Sequence, residues 1–141
     1  MADFSITATN VVAPLSSSGQ PPKTAGVAGE TITAGQALYR KSADSKLWKA
    51  QCDGTAEEAS FVGIAINGAT AGQTVTYVAS GSLTMGSAFA AAGKTVVVSS
   101  TAGGIAPIAD LTTGNYLSIV GYTTSASVLE VKPEVRGVTV P

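Results

Sequence analysis

The residues able to carry chemistry are few, and their spacing is poor for it. The 141 residues contain no histidine, which excludes Ser-His-Asp and Cys-His nucleophiles and the common His-based metal triads. Cys52 is the single cysteine; it can form no intramolecular disulfide, has no histidine to activate it, and reads as a small buried hydrophobe. A Ser-Lys dyad stays open, as in any chain this rich in serine. The tripeptide GKT at 93–95 looks like the end of a phosphate-binding loop, but Ala88 stands where that loop needs its first glycine. The strand-like VVVSS also follows where a helix must begin.

The acids do not converge either. Glu57 and Glu58 are adjacent, so they point about 100° apart on a helix and to opposite faces on a strand, and neither geometry makes a glycosidase pair. Asp44 and Asp53 fall in turn contexts that explain them. DGTAEE at 53–58 places three acids near a glycine without the D-x-D-x-D-G spacing of a calcium loop, a weak ion-binding pattern. Trp48, Tyr39, Tyr77, Tyr116 and Tyr122 would suit a stacking platform if gathered; spread singly over several strands they read as core and cross-strand pairs. No catalytic, cofactor-binding or metal residue is assigned, and no cofactor is expected.

Composition points to contact rather than catalysis. Charged residues make up 12% of the chain, about half the roughly 25% usual in soluble domains, so the surface is left to Thr, Ser, Asn, Gln and backbone. Short hydroxyl side chains lose little entropy and little hydration when another protein packs on them; they also simply serve exposed strand faces. Eight basic residues and a net charge of -1 supply no clustered cation for nucleic acid. Lys41, Lys46 and Lys49 form the densest group and read as a solvated hairpin face that discourages edge pairing. MADFSITATNVV lacks the basic start and long apolar core of a signal peptide, and no run approaches the roughly 18 apolar residues of a membrane span. A soluble protein made in the cytoplasm, with no membrane partner, is the expectation.

The elements that must position these residues are strands. Residues 1–25 read as an extended arm: an alternating FSITATNVV, then a linker rich in Pro, Ser and Gly in which Pro21 and Pro22 hold the first strand away from the rest. Such an arm adds to a neighbouring subunit's sheet or stays a flexible terminus. Residues 26–141 read as one domain of hairpins. ALYR and LWKAQC flank KSADSK, FVGIAI and TVTYVAS flank NGATAGQ, and KTVVVSS, GGIAPIA, NYLSIVGY, ASVLEVK and GVTV follow. Helix is confined to short pieces around 55–59 and 87–92. Val62-Gly63 and Val120-Gly121 sit alike in two loosely similar halves, and a glycine inside a strand marks a bulge or a close approach. Alternation puts Val62, Ile64 and Ile66 on one face and Val75, Tyr77 and Ala79 on one face of the partner strand. Leu117 and Ile119 oppose Tyr116, Ser118, Val120 and Tyr122, so that strand is central. The expected fold is all-β: a jelly-roll-like β-sandwich or small barrel of about eight antiparallel strands, possibly in two related halves.

AGETITAGQALYRKSADSKLWKAQCDG followed by FVGIAINGATAGQTVTYVASG, and later GNYLSIVGYTT and VLEVKPEVRG, resemble the small capsid decoration, or cement, proteins of tailed bacteriophages. The matching features are GETITAGQALY, the strand through Val62-Gly63-Ile64-Ala65, and low-charge strands ending in AGQTVTYVASG; similar text occurs in phage tail and fibre modules. The resemblance spans roughly 26–140. It implies a non-enzymatic virion protein on the outer capsid surface whose partners are the major capsid protein and itself, as a dimer or trimer on a symmetry axis. Under that reading Phe4, Ile6, Val11 and Val12 of the arm are the expected capsid or subunit contacts. A tail, fibre or host-receptor module is the alternative.

Overall fold

The computed structural model describes residues 3–13 and 23–141; most of the linker expected in APLSSSGQPPKTAG, Pro21 and Pro22 included, lies outside them. The hairpins form where turn chemistry places them. β3 (Ala37–Arg40) pairs with β4 (Leu47–Lys49), Tyr39 opposite Trp48. Between them Lys46 N donates to Asp44 Oδ1 at 2.9 Å, and Ser45 takes φ 58. β5 (Phe61–Ala65) pairs with β6 (Thr74–Val78), and β2 (Lys23–Val27) adds to β6 along all five of its residues. β2 therefore runs across the boundary expected at 25/26. Beyond Val78 come β7 (Gly81–Met85), β8 (Thr95–Val98), β9 (Ile105–Pro107), β10 (Tyr116–Thr123) and β11 (Val128–Thr139). With the two-residue β1 (Val11–Val12) they make eleven strands among the described residues, against about eight expected.

These strands form a β-sandwich of two antiparallel sheets, and the sheets repeat one plan. One runs β2-β6-β5-β3-β4; the other runs β7-β11-β10-β8-β9, with β1 added outside β7. Each strand of the first sheet corresponds to the strand five places later. β5 and β10, which carry Val62-Gly63 and Val120-Gly121, occupy the same place in the two units, and β10 is central as its two-faced apolar pattern requires.

Each unit closes a seam between its outer strands, by different means. In the first, Ala28 bridges Leu47, Gly29 N donates to Leu47 O at 2.8 Å, and Glu30 accepts from Lys49 N at 3.0 Å and pairs with its ammonium at 3.6 Å. In the second, the amino-terminal segment does the work: Val11 pairs with Met85 of β7, while Phe4 N donates to Ile105 O of β9 at 2.9 Å. FSITATNVV is therefore not one strand held apart. It bends through a 3-10 turn at Ala8–Asn10 and lies along its own domain, because Phe4, Ile6 and Val11 find apolar surface there.

Two cores follow. Tyr39, Phe61, Ile64 and Val78 meet Leu83, Met85, Val96, Val120 and Leu129 between the sheets. Inside the curl of the first unit, Leu38, Leu47, Val75 and Tyr77 pack under Ile32 and Ala69, whose amides and carbonyls bond reciprocally at 2.8 and 2.9 Å. The alternation of Val75, Tyr77 and Ala79 holds, whereas that of β5 breaks: Val62 joins the inner cluster while Ile64 and Ile66 join the inter-sheet one. A register shift opposite Leu38 and Tyr39 causes this, since Gly63 and Phe61 are the paired residues and Val62 is the extra one. β10 shifts likewise at Gly121, so Ser118 and Val120 face inward while Tyr122 turns out at 44% exposure.

The expected helices reduce to turns. Residues 55–59 make one turn in which Glu58 N donates to Thr55 Oγ1 at 3.3 Å and Thr55 N to Glu58 Oε2 at 2.6 Å, the reciprocal capping-box arrangement without a helix behind it. Residues 87–92 are irregular, with Ala90 at φ 64. Their purpose is Phe89, fully buried, whose ring meets Phe4 edge-on at 5.0 Å and 80°.

Candidate docking surface

Three of the acids singled out by the sequence, Asp44, Glu57 and Glu58, are engaged by backbone donors at separate places. Glu57 Oε1 accepts from Ser42 N at 2.8 Å, and bonds from Ser42 hold its carboxyl below the usual range. Glu58 serves the Thr55 turn. Asp44 is lowered by the Lys46 amide and then by the Trp48 indole, 3.2 Å from Oδ2. Among the described residues no three acids or thiols gather as a metal site, and no helix is long and apolar enough to cross a membrane. Of the tripeptide GKT at 93–95, Thr95 already opens β8, so no helix follows it.

Cys52 is fully buried, and burial, with Asp53 second, pushes its thiol up to about 11. Since the thiolate is the reactive form, the folded protein is expected to resist alkylation at pH 8 and to react readily in urea. The folded value lies above the ordinary 9.0, so folding favours the protonated thiol. This contribution to stability is complete below pH 9 and is lost as pH rises toward about 11. Urea midpoints across that range, compared between the native chain and Cys52→Ala, check it: the native chain should lose more stability.

The aromatic residues do not form a platform. Tyr39 and Tyr77 are buried in different cores, Tyr122 is exposed on β10, and the Trp48 ring is covered by Lys41 Nζ at 4.6 Å from its centroid. Shallow hollows lie on two parts of the described surface. One, of about 200 Å³, lies between Phe4, Ile6 and the loops around Gly35 and Gly103; the other, of about 270 Å³, lies between Thr95, Ile119, Tyr122, Lys132 and Glu134.

Of the four residues expected to meet another protein, Phe4 and Ile6 pack against the chain's own core and Val11 is buried in it. Val12 alone is open, at 53% exposure. The arm's apolar groups thus act within the domain, closing the second seam.

A different surface has the character sought. No Asp, Glu, Lys or Arg occurs between Glu58 and Lys94. Within this span the 66–73 loop projects from the first unit, exposed from Thr70 to Thr74. Beside it, Ala25 and Val27 of β2 stand opposite Thr76 and Thr74 of β6, on the side away from the inner core, in a row that the exposed Lys23 continues opposite Val78; Val27 is 42% exposed. The loop is clamped from within. Asn67 Oδ1 accepts from Thr76 N at 2.6 Å, Gln73 Oε1 accepts from Thr70 N at 2.8 Å, and Gly72 N and Ala28 N bond to Ala28 O and Gln73 O, each at 2.8 Å. Such a loop has little conformational freedom left to lose on contact and no charge to desolvate. Asn67 and Gly72 were legible as turn residues, but the backbone bonds that tie Gly72 and Gln73 to Ala28 depend on the segment after β2 arriving alongside.

Neither a known protein family nor a curated protein matches the chain.

Proposed function

We propose that the chain is a structural virion protein that binds the outer surface of an assembled tailed-phage capsid and stabilises contacts between major capsid proteins. The observation that carries this reading is the rigid 66–73 loop, which bears no charged residue and lies within the stretch that resembles the phage cement proteins, with the exposed Val27 of β2 beside it. A ligand that binds only the assembled shell stabilises it by mass action. A symmetric lattice multiplies such sites, so even a modest contact per copy suffices. The protein acts without catalysis, is made in the host cytoplasm, and has the major capsid protein as its partner. A tail or receptor-binding module would instead need exposed aromatic groups gathered on one face, and Tyr122 and Trp48 lie on different sheets.

Val27→Glu and Ala71→Lys each set a charge in this surface at an exposed position, where the domain itself tolerates it. Each is expected to leave the urea midpoint in place and to lower retention on purified capsids about tenfold, the cost of desolvating one unpaired charge. Retention unaffected by both changes, or binding to host cells or glycans in place of capsids, would sink the reading.

A further inference from the structure

Gly68 is a glycine that the fold does not require. Its φ lies outside the left-handed region, and a Cβ built there would have only Ile32 O nearby, at 3.7 Å. It follows Asn67, the one asparagine of three that precedes a glycine; Asn10 precedes Val11 and Asn115 precedes Tyr116. Backbone conformation therefore does not account for the pair, but its reactivity does. An asparagine side chain is open to attack at Cγ by the backbone nitrogen of the next residue, and a following glycine presents no Cβ to obstruct the five-membered ring that forms. The loop also holds the reacting groups in suitable states. Gly68 is exposed, and its N–H bonds to no acceptor among the described residues. Thr76 N donates to Asn67 Oδ1 at 2.6 Å, so the carbonyl that gathers negative charge during the attack already has a backbone donor on it. Nδ2, the group that must leave, is held by longer bonds, to Gly68 O at 3.1 Å and Thr74 O at 3.3 Å.

We propose that Asn67-Gly68 is a self-modification site, at which the native protein converts Asn67 to aspartate and isoaspartate. Gly68 N gives up its proton and bonds to Asn67 Cγ; the Cγ–Nδ2 bond breaks, and Nδ2 leaves as ammonia with that proton. Water then opens the cyclic imide, at Cγ to give aspartate or at the backbone carbonyl of residue 67 to give isoaspartate. The step is a substitution followed by hydrolysis, with water as the only co-reactant. The product carries a carboxylate in a stretch, 59–93, that has no charged residue, and it has no amide hydrogens left for Gly68 O and Thr74 O. An ageing chain thus acquires a negative charge on the loop that is proposed to meet the shell, and its attachment weakens. That consequence rests on the proposed function, whereas the conversion itself does not.

Peptide mass mapping of the folded full chain, sampled over weeks at pH 8, tests the conversion without capsids. The mass change from amide to acid is expected at residue 67 and not at Asn10 or Asn115. Gly68→Ala should slow it about tenfold, because a Cβ crowds the closing ring, while leaving the urea midpoint in place. An intact Asn67 amide in the folded chain under conditions where the chain unfolded in urea converts, or an unchanged rate in Gly68→Ala, would overturn the proposal. On purified capsids Asn67→Asp should be retained about tenfold less than the native chain, the effect of one unpaired charge at the contact. Equal retention of the two would overturn the effect on attachment; loss of both would count against shell binding itself, with the conversion already measured.

Discussion

Gly121→Ala is expected to destabilise the domain by about 3 kcal/mol or more, the upper range for inserting a methyl group into a packed site. A Cβ there would stand 2.0 Å from Glu130 O and 3.0 Å from Lys132 N, both backbone atoms of the neighbouring strand. No side-chain rotation relieves that contact; β11 itself must move. Gly63→Ala repeats the test in the other unit, where a Cβ would meet Val78 O at 2.6 Å and the Tyr77 ring at 2.4 Å. Gly68→Ala is the control: its Cβ would have only Ile32 O nearby, at 3.7 Å, and the midpoint should move by less than about 0.5 kcal/mol. Urea denaturation of the three variants decides it. If Gly121→Ala behaved like Gly68→Ala, the bulged strand pairing described for β10 would be wrong.

Phe89→Ala should cost about 3–5 kcal/mol, as truncating a fully buried phenylalanine does. Phe4→Ala, at a partly buried position, should cost less. The edge-on contact between the two rings predicts non-additivity: a double-mutant cycle should return about 0.5–1.5 kcal/mol of coupling. Additive losses would mean that the amino-terminal segment is not seated on the second unit. The result bears on how shell binding is tested, because deleting the arm would remove Phe4, Ile6 and Val11 from the core as well as any contact with a capsid. Single exposed substitutions such as Val27→Glu avoid that confusion.

Local chemistry was the legible part of this fold. The Asp44 turn, the Asn67 and Gly72 loop and the two-faced apolar pattern of β10 are written within a few residues of where they act. Gly63 and Gly121 were legible as strand irregularities in matching places, and the two sheets have matching strand orders. What alternation misplaced, it misplaced for one reason: a bulge flips every side chain beyond it, so Val62 parts from Ile64, and Tyr122 from Val120. Contacts between distant segments were not legible. Phe4 reaches Phe89, Val11 reaches Met85 and Ala28 reaches Leu47, and no local pattern records such a partner. β11 was read as two strands because Pro133 interrupts the apolar pattern; it continues as one because proline is tolerated at an open edge. Of the candidate surface, the loop was visible as small and uncharged, whereas its clamping by Asn67 and Gln73 and its continuity with β2 required the fold.

An electron-microscopic reconstruction of purified capsids incubated with the chain tests the central claim most directly. The proposal predicts added density outside the shell, over junctions between major capsid proteins, with the 66–73 loop and the outward side of β2 and β6 against the capsid and the arm folded on its own domain. Shells without added density under conditions where the chain is folded, or density that meets the capsid through another face and leaves this surface in solvent, would contradict it.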